Sequence, residues 1–250
     1  MPALAAVQVA AHGLLLLLSM AQMAYGLDNG VARTPPMGWN SWGHFKSGVS
    51  AELLAEVAEA MVSLGLRDAG YTYVNTDDGW LQTNRTPGGV LAPEPALFPH
   101  GEASIRNLTD FIHNRSLKLG IYNANSLTTC MKKAGGLYHE RQDSATYASW
   151  GVDYVKYDLC GQGNLQPFVT FQVMRDALNA TGRPMLYSCE PQQLRGDPIE
   201  WPPYISNMFR IAADMGPFYG LFPGDALLSN SWVHVAEQGG TSYCRFIMHT

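Results

Sequence analysis

What this chain of 250 residues has little of narrows its class first. Charge is scarce: Asp, Glu, Lys and Arg make up 15% of the residues, with a formal net charge of −5. No basic stripe interrupts that mild acidity, which argues against a nucleic-acid partner. Cysteine is sparse as well. The four cysteines, Cys130, Cys160, Cys189 and Cys244, form no CxxC pair and have no His-rich spacing around them, so a zinc site is not indicated. No GxGxxG or Walker pattern follows the first strand-like run, which removes support from the nucleotide-binding open sheets. Nor does any apolar run reach the roughly 20 continuous residues that a membrane span needs. The nearest approach, "GLLLLLSM", lies in a stretch broken by His12, Gly13, Ser19 and Gln22.

That stretch has a composition of its own. Residues 1–26 contain no Asp, Glu, Lys or Arg, and Ala24 and Gly26 fit the −3 and −1 positions of a signal peptidase site. Although the usual basic opening is missing, the pattern predicts a signal peptide over 1–26, a mature start near Leu27 and no membrane span after cleavage. Entry to the secretory pathway agrees with four N-x-Ser/Thr sequons, at Asn84, Asn107, Asn114 and Asn179, and makes glycosylation an expectation. An oxidising compartment also makes at least one disulfide an expectation.

What is present is an alternation of two periods from about residue 37 to about 211. "MGWNSW" reads as a strand. "SAELLAEVAEAMVSLG" reads as a helix capped by Ser50, with Leu53, Leu54, Val57, Met61 and Leu64 on one stripe. "YTYVNTDD", "KLGIYNA", "DYVKYD", "PMLYSCE" and "ISNMFRIAAD" read as five further strands. Between them lie a helix through Ile105, Leu108, Phe111 and Ile112, the short helix "DSATYASWG", and a helix bearing Phe168, Phe171, Met174 and Leu178. Such alternation predicts parallel βαβ units, hence an α/β fold: a doubly wound sheet or a (β/α)8 barrel. Polar residues favour the barrel, because Asp77, Asp78, Asn123, Asp158, Glu190 and Asp214 all fall at carboxyl ends of predicted strands. Barrel enzymes gather their reactive groups there.

"DYVKYDLC" concentrates the question. Alternation along a strand puts Tyr154, Lys156 and Asp158 on one side and Val155 and Tyr157 on the other. A lysine and an aspartate sent into a sheet interior are costly unless each has a partner or a task. A structural ion pair is one reading, with Asp158 capping the next helix. The other is a sugar site, where carboxylates accept from hydroxyls, Lys and Arg donate, and aromatic faces cover ring C–H patches. Glycosidic cleavage needs one ionised and one protonated carboxylate. Lys156 favours the charged form of Asp158, which makes Asp158 the nucleophile candidate. Asp214, four residues beyond Arg210 in "RIAAD", is the candidate general acid, with a structural Arg–Asp pair as the competing reading.

Taken in order, "LDNGVARTPPMGWNSWGHF", "YTYVNTDDGW", "LKLGIYNA", "WGVDYVKYDLC", "GRPMLYSCE" and "FRIAAD" resemble the α-galactosidases (melibiases) of glycoside hydrolase family 27 over about residues 27 to 215. The resemblance implies a TIM-type barrel, usually followed by a small β domain. It implies a retaining mechanism on terminal α-galactose of oligosaccharides or glycoconjugates, with no metal or organic cofactor. Asp158 would be the nucleophile and Asp214 the acid and base. Asp77 and Asp78 would grip sugar hydroxyls, Trp42 and Tyr122 would wall the ring, and Lys156, Glu190 and Arg210 would add contacts. Cys130 and Cys160 would form a disulfide beside the pocket, and closing a loop of about thirty residues stabilises by roughly 3–4 kcal/mol. Extracellular or vacuolar/lysosomal placement follows, and the oligomeric state is left open.

Departures from the family pattern set further expectations. Family members commonly bridge a cysteine at the position of Gly79 to one after the first strand. Here that region reads "HFKSG", so both partners are absent together. The "PQQLRGDP" after Glu190 differs from the family, which leaves α-N-acetylgalactosaminidase and β-L-arabinopyranosidase as alternatives. Residues 216–250 follow no family pattern, and about 220 residues remain after the leader where a barrel takes about 250. The expectation is therefore a barrel incomplete after about six strands. It carries as its alternative a non-catalytic carbohydrate-binding fragment, and leaves Cys189 and Cys244 unpaired.

Overall fold

The computed structural model describes residues 27, 29–161, 166–191 and 201–210. The expected leader, Asp214, Cys244, most of the 190s loop and the tail 216–250 lie outside these residues. Twelve elements follow in chain order. They are β1 (Met37–Asn40), α1 (Trp42–Phe45), α2 (Ala51–Ser63), β2 (Tyr71–Asn75), α3 (Glu102–His113) and β3 (Lys118–Ala124). Then come α4 (Glu140–Ser149), β4 (Tyr154–Asp158), α5 (Pro167–Ala180), β5 (Leu186–Glu190), α6 (Pro202–Ile205) and β6 (Met208–Phe209). None of the described helices is long and apolar enough to cross a membrane.

The six strands form one sheet in the order β1-β2-β3-β4-β5-β6, and every neighbouring pair is parallel. That order decides between the two candidate folds. A doubly wound sheet reverses its strand order at a switch point, whereas a barrel lays each new strand beside the last. Among the described residues there is no reversal, so the fold is of the (β/α) barrel type.

Strand alternation separates two chemistries. Val74, Leu119, Ile121, Val155, Tyr157, Tyr187 and Cys189 pack outward against the helices, where they meet Leu54 and Met61 of α2, Ile105 and Ile112 of α3, and Phe171 and Met174 of α5. A second, small apolar group of Tyr73, Tyr154, Leu186 and Met208 occupies the other face. Parallel register aligns the inner face in rows: Tyr122 beside Lys156 beside Ser188, then Ala124 beside Asp158 beside Glu190. Charge therefore rises toward the carboxyl ends of the strands.

Local expectations hold where chemistry dictates them. Ser50 caps α2, its Oγ accepting from the Leu53 amide at 3.1 Å. Leu64 departs from its expected stripe. It follows the last helical residue and is 74% exposed, because the chain turns away from the core there. Phe168 likewise faces out, at the first turn of α5. Of the expected sixth strand, the described residues pair over Met208–Phe209, and its first residue, Ile205, instead closes the helical turn α6 that Pro202 and Pro203 open.

The opposite, amino-terminal ends of β3 and β4 are tied by a polar clamp. Asp153 accepts from the Leu119 amide (3.0 Å), from His113 Nε2 (2.7 Å) and from Arg183 Nη2 (2.6 Å). Arg183 also donates to the carbonyls of Val152 and Gly151, both at 2.7 Å.

Gly120 shows how tightly the inner face is filled. A Cβ there would fall 1.9 Å from Asn75 Oδ1 and 2.6 Å from Tyr154 Cδ1. Gly120→Ala is expected to destabilise the fold by roughly 1–3 kcal/mol through overpacking; urea denaturation with an unchanged m-value checks it.

Candidate active site

The inner-face alternation of β4 delivers Lys156 and Asp158 to the same side, and the register of β3 and β5 places Tyr122 and Glu190 beside them. Lys156 Nζ lies 2.9 Å from Asp77 Oδ2 and 2.9 Å from Glu190 Oε2, with all three side chains at most 5% exposed. Arg210, just beyond β6, pairs through Nη1 with Glu190 Oε1. A row of alternating charges, Asp77–Lys156–Glu190–Arg210, thus runs across the carboxyl ends of four strands. Burial pulls the Lys156 ammonium down, but Asp77 and Asp158 more than offset it, so its pKa stands above the ordinary lysine value. It is a fixed cation.

Asp158 lies at the end of β4 and is held from two sides. The Tyr122 hydroxyl donates to Oδ2 at 2.7 Å, and the Leu159 amide donates to Oδ1 at 2.6 Å. It caps no helix, since α5 begins only at Pro167. The expectation that Lys156 lowers its pKa holds for that contact alone. Burial pushes Asp158 up more than Lys156, Tyr122 and the Leu159 amide pull it back, and the net direction is upward. The Tyr122 phenol is itself raised by burial and by Asp158, so it stays a proton donor to the carboxylate.

Asp77 and Asp78, which follow β2, take different surroundings. Asp77 accepts from Asn40 Nδ2 at 3.0 Å and from the Asp78 amide at 2.9 Å, while its own amide donates to Ser41 Oγ. Asp78 accepts from the amides of Gly79 (2.7 Å) and Met131 (2.8 Å), and burial raises its pKa above the usual aspartate value despite them. Trp42 opens α1 at the end of β1, half-buried, its amide bonded to Asn40 Oδ1 at 2.8 Å. The Cys130–Cys160 disulfide is present, with Cα atoms 4.9 Å apart, and Tyr122 Oη stands 3.4 Å from Cys160 Sγ. Among the described residues one group of metal-type side chains converges, Cys130, Asp158 and Cys160, but its two sulfurs are bonded to each other. Cys189 is a buried free thiol on the helix side, pushed up to about 12 by burial.

One expected strand-end residue faces away from the cradle. Asn123 sits at an odd position of β3, turns to the helix layer and donates to the Tyr147 hydroxyl at 3.0 Å. Asp214 falls outside the described residues, as does the "PQQLRGDP" segment from residue 192 on. Sequence reasoning missed Asn40 and Ser41, which hold Asp77. The signal was there: "NS" spans the carboxyl end of β1. The absent second bridge is consistent with the geometry, since a Cβ on Gly79 would lie 3.1 Å from Ser47 Cβ, within "HFKSG".

Two outcomes follow from this electrostatic arrangement. Lys156→Met leaves Asp77, Glu190 and Asp158 without their buried cation and is expected to destabilise by about 3–5 kcal/mol at pH 7. Urea denaturation at pH 7 reads the loss. For Asp158, a raised folded pKa means that ionisation costs stability above that pKa and nothing below the unfolded value. Asp158→Asn is therefore expected to melt higher than the parent at pH 7, with the difference vanishing toward pH 3; calorimetry at both pH values decides.

Known proteins share this arrangement's sequence and fold. The family described as Alpha galactosidase A matches residues 34–210. An alpha-galactosidase of Coffea arabica is 44% identical over 191 residues, covering 76% of this chain and 49% of that protein. Alpha-galactosidase 3 of Arabidopsis thaliana is 45% identical over 190 residues, covering 76% and 42%. Among solved structures, alpha-galactosidase I of Mortierella vinacea superposes with a TM-score of 0.70 at 37% identity, covering 78% of this chain and 51% of that one. The Saccharomyces cerevisiae alpha-galactosidase with raffinose gives 0.69 at 35%, covering 76% and 42%. The chain thus spans about half the length of the relatives it matches. With residues 34–210 matched, the chain belongs to the alpha-galactosidase A family of glycoside hydrolases.

Proposed function

We propose that the protein is a retaining glycoside hydrolase that releases terminal non-reducing α-D-galactose from oligosaccharides or glycoconjugates by double displacement. The observation that carries this reading is the strand-end cradle. Asp77, Lys156, Glu190 and Arg210 supply acceptors and donors for several hydroxyls at once, and Asp158 stands beside them with Tyr122 holding its carboxylate. In this role Asp158 attacks the anomeric carbon and forms a glycosyl-enzyme ester, while Asp214 protonates the departing oxygen. Asp214 then takes a proton from water, which cleaves the ester. Asp78 and Trp42 complete the sugar's surroundings as a hydroxyl acceptor and an aromatic wall.

The names of the relatives support galactose as the glycone, and the yeast structure with raffinose supports an oligosaccharide as the class of ligand. We assign the protein to the secretory pathway, outside the cell or in a vacuole or lysosome. All four sequon asparagines are exposed, as glycan attachment there requires.

Hydrolysis of p-nitrophenyl-α-galactoside tests the assignment. Asp158→Asn is expected to lower kcat/KM by at least about 100-fold. Asp214→Asn should cost less on this substrate than on raffinose, because p-nitrophenolate leaves without protonation. Because burial raises Asp158, the parent's rate should fall as pH drops through a value above the ordinary aspartate range. Rates for both variants equal to the parent's would overturn the roles. A parent that binds galactose yet hydrolyses neither substrate would instead identify a carbohydrate-binding module.

A further inference from the structure

Arg85, in the loop after β2, makes no contact with the charged cradle, yet it organises the loops around it. Its Nη1 donates to the Gly89 carbonyl at 2.9 Å and to Asp143 Oδ1 at 2.6 Å. Its Nη2 donates to the Gly135 carbonyl at 2.6 Å and to Asp143 Oδ2 at 2.7 Å. One planar fork thus joins the β2–α3 loop, the β3–α4 loop and helix α4. Asp143 is fully buried and the Arg85 side chain is 11% exposed. A buried ion pair of this kind is a weak source of stability; what it does supply is a fixed position for whatever it grips.

The gripped segment is the one that touches the site. Residues 126–136 form a hairpin closed by the Thr128–Ala134 bridge and held to the β2–α3 loop by the Ala134 amide on the Gln82 carbonyl at 3.0 Å. Gly135, near its end, is in Arg85's grasp. Met131 within it donates to Asp78 Oδ2, and Cys130 within it bridges to Cys160, just beyond Asp158. Displacing this hairpin would therefore disturb both carboxylates together.

We propose that Arg85 is a positioning residue, acting through the 126–136 hairpin to hold Asp78 and the Asp158–Cys160 strand end in the geometry that binds sugar; this rests on the galactoside reading of the site. The role needs the fork itself. A lysine offers a point charge that cannot span two carboxylate oxygens and two carbonyls in one plane.

Arg183 provides the control, since it makes the same kind of arginine–carboxylate–carbonyl clamp at the opposite ends of the strands. Parent, Arg85→Lys, Arg85→Ala and Arg183→Lys are compared by galactose affinity from tryptophan fluorescence and by the pH profile of p-nitrophenyl-α-galactoside hydrolysis. The rate at which dithiothreitol opens Cys130–Cys160, measured well below the melting temperature, is the third readout. Both Arg85 variants are expected to weaken galactose binding at least tenfold, to shift the acid limb of the profile, and to speed disulfide opening at least tenfold. Methylguanidinium should partly restore Arg85→Ala. Arg183→Lys should lower the melting temperature but move none of the three. Parental values in the Arg85 variants, or equal changes in Arg183→Lys, would overturn the proposal. If Arg85→Ala does not fold, Arg85→Lys carries the comparison. If the parent neither binds galactose nor hydrolyses the substrate, the galactoside reading fails, and the disulfide-opening contrast between Arg85 and Arg183 variants still decides whether the clamp exists.

Discussion

A buried ammonium holds this site together. Lys156 is almost wholly withdrawn from water, and the desolvation of a bare cation would be prohibitive. Asp77 and Glu190 stand at 2.9 Å on either side of it, and Asp158 lies on its strand two residues on. Each carboxylate in turn would be intolerable at that depth without the lysine. The lysine and the two carboxylates paired with it must therefore be placed together or not at all. This ties the ends of β2, β4 and β5 to one arrangement, and Arg210 extends the tie to the end of β6. Such mutual compensation is costly as a device for stability but well suited to presenting donors and acceptors in a fixed pattern.

Around that core the supporting polar groups grade outward. Asn40 and Ser41 orient Asp77. Tyr122, raised in pKa and so always carrying its proton, orients Asp158. The Cys130–Cys160 bridge and the Met131 amide bring the β3–α4 hairpin against both acidic ends. Trp80 fastens the same region from the helix side, its indole donating to the Tyr122 carbonyl at 2.8 Å and its ring packing edge-on to Trp150. The site is thus carried by rigid strand ends and by loops that are themselves pinned.

The legible and illegible parts of the sequence divide along the range of the interactions involved. "KLGIYNA" and "DYVKYD" could be read as strands because a two-residue period and β-branched or aromatic content are local properties. The same period told which side Lys156 takes. Asn123 stands at its expected strand end but outside the site, because a polar residue near a strand end looks the same in sequence whichever face it takes. Its odd position, opposite in sense to Tyr122, is what sends it to Tyr147. Leu64 and Phe168 matched a helical stripe but fall at helix ends, where the stripe no longer faces a neighbour. Arg85 gave no signal at all, since its partners are a helix residue far along the chain and two glycine carbonyls.

By itself, then, the sequence determined the alternation of strands and helices, the inward row of polar residues and, through its resemblance to a family, the identity of the bridge. Tertiary structure alone decided the uninterrupted strand order that makes the fold a barrel type, and the balance at Asp158. There the nearest charge in sequence argued for a lowered pKa, yet burial outweighs it. Proximity along a chain reports which charges can meet, whereas the water excluded around them is set only once every strand has taken its place.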